Sequence, residues 1–124
     1  ILEHNMHSEY IELEQDVAER LNQYKKDWKR IIAVGTTAIR VLETMSKDDG
    51  TIESWSKDTD IFIYPWYKWR FVDAMITNFH LPKSTLLMLV ASFAWKENVD
   101  KAYKYAVDNK FRFFSFGDAM FIER

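Results

Sequence analysis

Residues 77–82, Thr-Asn-Phe-His-Leu-Pro, put an amide, an imidazole and a proline where an apolar strand pattern gives way to an apolar helix pattern. Asn78 can both donate and accept hydrogen bonds, and the ring of His80 exchanges a proton near neutral pH. Ligands of α/β proteins gather where strand C-termini meet helix N-termini, so this pair leads the candidates, with His80 as the proton-transfer group. The plainer alternative is a histidine whose ring caps backbone groups at the turn.

Val34-Gly35-Thr36-Thr37 reads as strand, turn and helix start. The first N–H groups of a helix lack internal partners and carry partial positive charge, so an anion fits there, a carboxylate or a phosphate. The alternative is that Thr36 or Thr37 only caps the helix. Arg40, one turn further on, either reaches back to the same anion or pairs with Glu43. His7 and Glu9 alternate along a strand and share a face, which suits proton handling or sugar hydroxyls, or is a chance surface pair. Arg112, Ser115 and Asp118 surround Gly117; Asp118 either accepts from ligand hydroxyls or holds its own turn. Phe111, Phe113, Phe114 and Phe116 suit a core better than a base-stacking platform. Lys25, Lys26, Lys29 and Arg30 form a basic cluster, a solvated helix end or a phosphate contact. With three histidines (His4, His7, His80) and no cysteine, neither a metal site nor a disulfide is supported. No GxGxxG or P-loop pattern surrounds Gly35, so ordinary dinucleotide or nucleoside triphosphate binding is unsupported.

The elements that must position these groups follow from hydropathy. A short strand is expected over 8–13. Leu13, Val17, Leu21, Tyr24 and Trp28 recur at helical steps and define one apolar face. Arg30 to Val34 reads as a buried strand, Ala38 to Met45 as a helix, and Lys47 to Asp60 as a polar loop. Ile61–Tyr64 and Phe71–Ile76 read as strands. Pro82 suits the first turn of a helix reaching about Ala94, and Asn98 suits the N-cap of the next. Short strands are expected at Phe111–Ser115 and Met120–Ile122 around the Gly117-Asp118 turn. Strands alternating with helices predict an α/β fold, a three-layer α/β/α domain with a largely parallel or mixed sheet.

The 124 residues suffice for one domain, 1–124, with a real core. A net charge of −2 supplies no global field for polyanions. No apolar run reaches the roughly 18 residues of a membrane span. The first residue is Ile1 rather than Met, which we take to mean a fragment of a longer protein.

Five segments, in chain order, resemble one family. They are His7-Ser8-Glu9-Tyr10, Gly35-Thr36-Thr37-Ala38-Ile39-Arg40-Val41-Leu42-Glu43, Ile61-Phe62-Ile63-Tyr64-Pro65 leading to Val72-Asp73, the run Thr77 to Leu89, and Phe111 to Met120. The family is the S-adenosylmethionine:tRNA ribosyltransferase-isomerases of queuosine biosynthesis, and the resemblance covers its C-terminal portion. It implies a cytoplasmic, monomeric transferase-isomerase that acts on tRNA, with S-adenosylmethionine as substrate and no permanently bound cofactor. It also implies an inserted β-barrel, which is absent from this sequence. On the matched motifs it implies His80 for proton transfer, with His7 and Glu9 as a second proton-handling pair. Asn78 and Asp118 would position the sugar, Thr36, Thr37 and Arg40 would hold an anion, and Arg112 would join the binding set. The family pattern leads us to expect glycine where Trp66 and Trp95 stand; a tryptophan there would change packing and fill a cavity. Missing partner segments would leave apolar surface that promotes self-association. The competing readings are an inert α/β scaffold and a passive RNA-binding module.

Overall fold

The computed structural model describes residues 9–59, 67–79, 85–113 and 117–123. The expected strand Ile61–Tyr64, the turn at Pro82 and residues His7, His80, Trp66, Phe114, Ser115 and Phe116 lie outside them. In chain order the elements are β1 (Glu9–Leu13), α1 (Gln15–Lys26), β2 (Ile32–Val34), α2 (Thr36–Met45), β3 (Trp55–Thr59), β4 (Ala74–Asn78), α3 (Thr85–Ala94), α4 (Lys96–Asp108) and β5 (Ala119–Glu123).

The described strands form two sheets. β1 and β3 pair antiparallel, Glu9 opposite Thr59 and Leu13 opposite Trp55. The other sheet is mixed and runs β2-β4-β5, with β2 parallel and β5 antiparallel to β4. The architecture is α/β with a mixed open sheet, as the alternation of elements led us to expect. β3 corrects the expectation of a loop over Lys47–Asp60: its sequence Trp-Ser-Lys-Asp-Thr has no apolar alternation, and its strand character comes from backbone pairing with β1. Residues 111–113 correct the expectation of a strand there; they are irregular, and β5 begins only at Ala119.

Two apolar clusters of described residues hold the elements. Ala33, Met75 and Met120 project from one face of the mixed sheet onto Ile39 of α2, Leu89, Val90 and Phe93 of α3, and Val99 and Ala106 of α4. Ile11, Leu13, Ala18, Ile31, Met45, Ile52 and Phe71 form the second. Leu42 of α2 packs against both. Trp69 stands edge-on to Phe93 at 4.8 Å and to Tyr67 at 5.3 Å, so Trp69 is core with Tyr67 packed against it. Phe79 gathers Tyr103, Phe111 and Phe113 with ring centroids 5.1–5.9 Å apart, which makes Phe113 packing material. Among the described residues no helix is long and apolar enough to cross a membrane.

Helix ends depart most from expectation. α1 stops at Lys26, and the amides of Trp28 and Lys29 return to the carbonyls of Lys25 and Tyr24 at 3.1 and 2.9 Å. That pair of bonds is a Schellman motif, whose C′ residue takes the left-handed conformation. Trp28 accordingly has φ 61° and is 94 % exposed, so it is not on the buried helix face predicted from its spacing. α4 ends the same way: Lys110 (φ 59°) and Phe111 bond back to Val107 and Ala106. α4 starts at Lys96 with Trp95 as its N-cap residue, which corrects Asn98 as cap. Asn98 lies inside the first turn, and its amide donates to the Ala94 carbonyl at 2.8 Å. Trp95 does hold a position that favours glycine (φ 71°), but at 73 % exposure it fills no cavity.

Candidate ligand-binding cleft

β2 and β4 run parallel, so both present their C-terminal ends on the same side of the sheet. The chain leaves β2 through Gly35 at φ 88° and ψ 155°, and the Gly35 amide donates to the Ile76 carbonyl of β4 at 2.8 Å. A Cβ at Gly35 would meet nothing within 4 Å, so glycine is required there by the dihedral and not by space. α2 begins two residues earlier than predicted, at Thr36, with Gly35 as N-cap and no side-chain capping bond; the reading of Thr36 or Thr37 as the cap is corrected. The first amide bonded back into the helix is that of Ile39, to Gly35. The N–H groups of Thr36, Thr37 and Ala38 have no intrahelical acceptor by geometry.

A cleft of about 390 Å³ opens at this junction. Gly35, Thr36 and Thr37 form one wall, Thr77 and Asn78 another, Ala119 closes the β5 side, and Val34 and Ile76 supply apolar surface. Of the residues singled out from sequence, Thr36, Thr37 and Asn78 therefore meet in one cleft. Asp118 stands next to it, because Ala119 is the β5 residue opposite Asn78. Arg40 sits half-buried in α2 and does not line the cleft. Glu9 is on β1, in the other sheet, and its side chain lies outside the described set, as do His7 and His80. The cleft's Ile76 and Ala119 were not singled out from sequence, and Val34 and Thr77 only as the strand residues flanking the candidates. The signal that would have found them is position alone, at the ends of neighbouring strands.

Asp118 closes a local loop. Its Oδ2 accepts the Arg112 amide at 2.5 Å and faces Arg112 Nε at 3.4 Å. The backbone N–H of Arg112 chiefly, and then its guanidinium, hold the Asp118 carboxyl below the usual carboxylate range. An acid so held is ionised at neutral pH and serves as a hydrogen-bond acceptor, not as a proton donor. Gly117 (φ 125°) lets the guanidinium lie close: a Cβ there would come within 2.9 Å of Arg112 Nη2.

Glu43, weighed from sequence only as a partner for Arg40, has another task. It is fully buried, and its Oε1 accepts from Tyr67 Oη and the Arg70 amide, each at 2.9 Å. Its Oε2 accepts from the amides of Phe71 and Val72 at 2.9 and 3.0 Å. Burial, with the Glu43 charge beside it, pushes the Tyr67 hydroxyl above the usual tyrosine range. Glu43 thereby pins the segment that enters β4, whose far end forms the cleft. The basic cluster is partly committed as well. Lys25 Nζ bonds Asp73 Oδ2 at 2.9 Å, and Arg30 Nη1 bonds Glu123 Oε2 at 2.7 Å.

The family model described as "Queuosine biosynthesis protein" matches residues 1–122. The chain belongs to that family. A relative in Natranaerobius thermophilus, called S-adenosylmethionine:tRNA ribosyltransferase-isomerase, is 56% identical over 99% of this chain and 36% of its own length. One of the same name in a Psychrobacter species is 54% identical over 100% of this chain and 33% of its own. The crystal structure of the S-adenosylmethionine tRNA ribosyltransferase of Thermotoga maritima superposes with a TM-score of 0.85 at 48% identity, covering 91% of this chain and 40% of that one. The chain thus spans about a third of the length of the curated relatives it matches.

Proposed function

We propose that this chain is the C-terminal part of an S-adenosylmethionine:tRNA ribosyltransferase-isomerase, one α/β domain over 1–124, of a cytoplasmic monomeric enzyme whose inserted β-barrel lies elsewhere. The reaction would move the ribosyl portion of S-adenosylmethionine onto the aminomethyl group of a 7-deazaguanine at the wobble position of tRNA. The ribosyl unit is isomerised to an epoxycyclopentane, giving epoxyqueuosine-tRNA, and adenine and methionine leave. The observation that carries this reading is the family match along 1–122; Thr36, Thr37 and Asn78, from two of the matched segments, line one cleft and support it.

Such chemistry needs a base for a proton made acidic by the sulfonium, an acid to help adenine leave, donors for the ribose hydroxyls and an anion site. His80 is assigned proton transfer, and His7 with Glu9 the second proton-handling role. Asn78 and the ionised Asp118 suit the ribose hydroxyls, with Arg112 holding Asp118 in place. The amides at the start of α2, with Thr36 and Thr37, suit the methionine carboxylate, and Arg40, outside the cleft lining, is not part of that set. In a full-length family enzyme, His80→Ala abolishes turnover while leaving the melting temperature unchanged; normal turnover in a folded variant removes His80 from the mechanism. The isolated chain forms no epoxyqueuosine, because the site is shared with the portion outside it. Mass spectrometry of nucleosides from treated tRNA tests this, and product formed by the chain alone refutes it.

A further inference from the structure

Among the described residues one face of the mixed sheet packs into the core, whereas on the other Ala74 is buried and Ile76 half-buried on the central strand and the flanking strands are exposed. Ala33, Met75 and Met120 point into the core, whereas the alternate residues Val34, Ile76 and Phe121 stand in register across β2, β4 and β5 on the other side. Val34 is 66 % and Phe121 52 % exposed, and Ile32 beside them is exposed as well. None of these four residues belongs to either apolar cluster. A row of branched and aromatic side chains across three strands is the pattern of a buried sheet face. The row is bounded at one end by the Arg30–Glu123 ion pair and at the other by the cleft, to which Val34 and Ile76 also belong.

What covers this face follows from length. The chain keeps the fold of the Thermotoga protein over 91% of its residues, yet accounts for only 40% of that polypeptide. More than half of such a protein must pack somewhere, and a flat apolar row with polar ends suits polypeptide. We propose that this face docks the portion of a full-length family chain that lies outside the matched segment. An apolar surface of that portion lies across Val34, Ile76 and Phe121, and the same portion completes the wall of the cleft. The proposal rests on fold and exposure and stands apart from the transferase reading.

A chimera tests it, with this chain replacing the matching segment of the full-length Thermotoga protein. Carbene footprinting compares it with the isolated chain, kept where sedimentation shows a monomer. The expected result is strong labelling of Val34 and Phe121 in the isolated chain and its loss in the chimera. Equal labelling in a cooperatively melting chimera overturns the proposal. So does self-association of the isolated chain that protects the face and is abolished by Phe121→Asp, together with unchanged labelling in the chimera; the occupant is then a second copy. If the chimera does not fold, the tagged chain is co-expressed with the remainder of the Thermotoga polypeptide. Co-purification that Val34→Asp and Phe121→Asp abolish supports the proposal; no co-purification, or co-purification indifferent to both substitutions, overturns it.

Discussion

Glu43 has four donors on one buried carboxylate, and three of them are the consecutive backbone amides of Arg70, Phe71 and Val72. Glutamine at 43 keeps the shape but turns an NH2 toward N–H groups, leaving buried donors facing each other. Glu43→Gln is expected to lower unfolding stability by about 3 kcal/mol, read from urea denaturation. Substitution at the left-handed helix ends acts in the opposite direction. Trp28 and Lys110 each hold a C′ position where a side chain is strained, so Trp28→Gly and Lys110→Gly should each stabilise by about 1 kcal/mol, seen as a raised urea midpoint. Asp118 carries a pH signature. Its folded carboxyl is depressed by the Arg112 amide, so the contact is complete above the unfolded carboxyl value of about 3.9 and fades as pH falls through the lower folded value. The Arg112 amide proton should therefore titrate by NMR below that unfolded value, and Asp118→Asn should remove the titration.

Among elements, the connection after α2 depends on one amide side chain. Asn22 of α1 donates Nδ2 to the Ile52 carbonyl and accepts the Ile52 amide on Oδ1, both at 2.9 Å, as a neighbouring strand would. Asn22→Ala should destabilise by about 1–3 kcal/mol, and hydrogen exchange should locate the loss at Ile52 and the approach to β3. What the sequence disclosed about elements tracks how local each one's cause is. α2, α3, α4, β2 and β5 carry apolar periodicity of their own and were placed within a few residues. β3 carries none, since its partner β1 lies more than forty residues away. The ends of α1 and α4 were obscure because tryptophan and lysine stand where glycine would announce a stop. The cleft was legible in Thr36, Thr37 and Asn78, whose types suit ligands; Val34 and Ile76 looked like ordinary strand residues.

For the whole molecule, charge and surface act together. The chain has a net charge of −2 and a pI near 5.9, and it shows water the apolar row of β2, β4 and β5. Little electrostatic repulsion opposes contact between such faces just below neutrality. Solubility should therefore be lowest near the pI, and Phe121→Lys should raise it without moving the melting temperature, because the ring is half exposed in the folded chain. Turbidity against pH, followed for both proteins alongside thermal melts, checks this.

One residue, Trp95, separates α3 from α4. Its amide still reaches back to Ala91, while its carbonyl already receives the amide of Val99. The joint has no slack, so the angle between the two rods is written in a single pair of dihedrals. One added residue between Trp95 and Lys96 would swing the second rod by roughly 100° about its axis. Val99 and Ala106 would then turn away from Val90 and Phe93, whereas the same insertion at the exposed bend near Gly50 would go almost unnoticed.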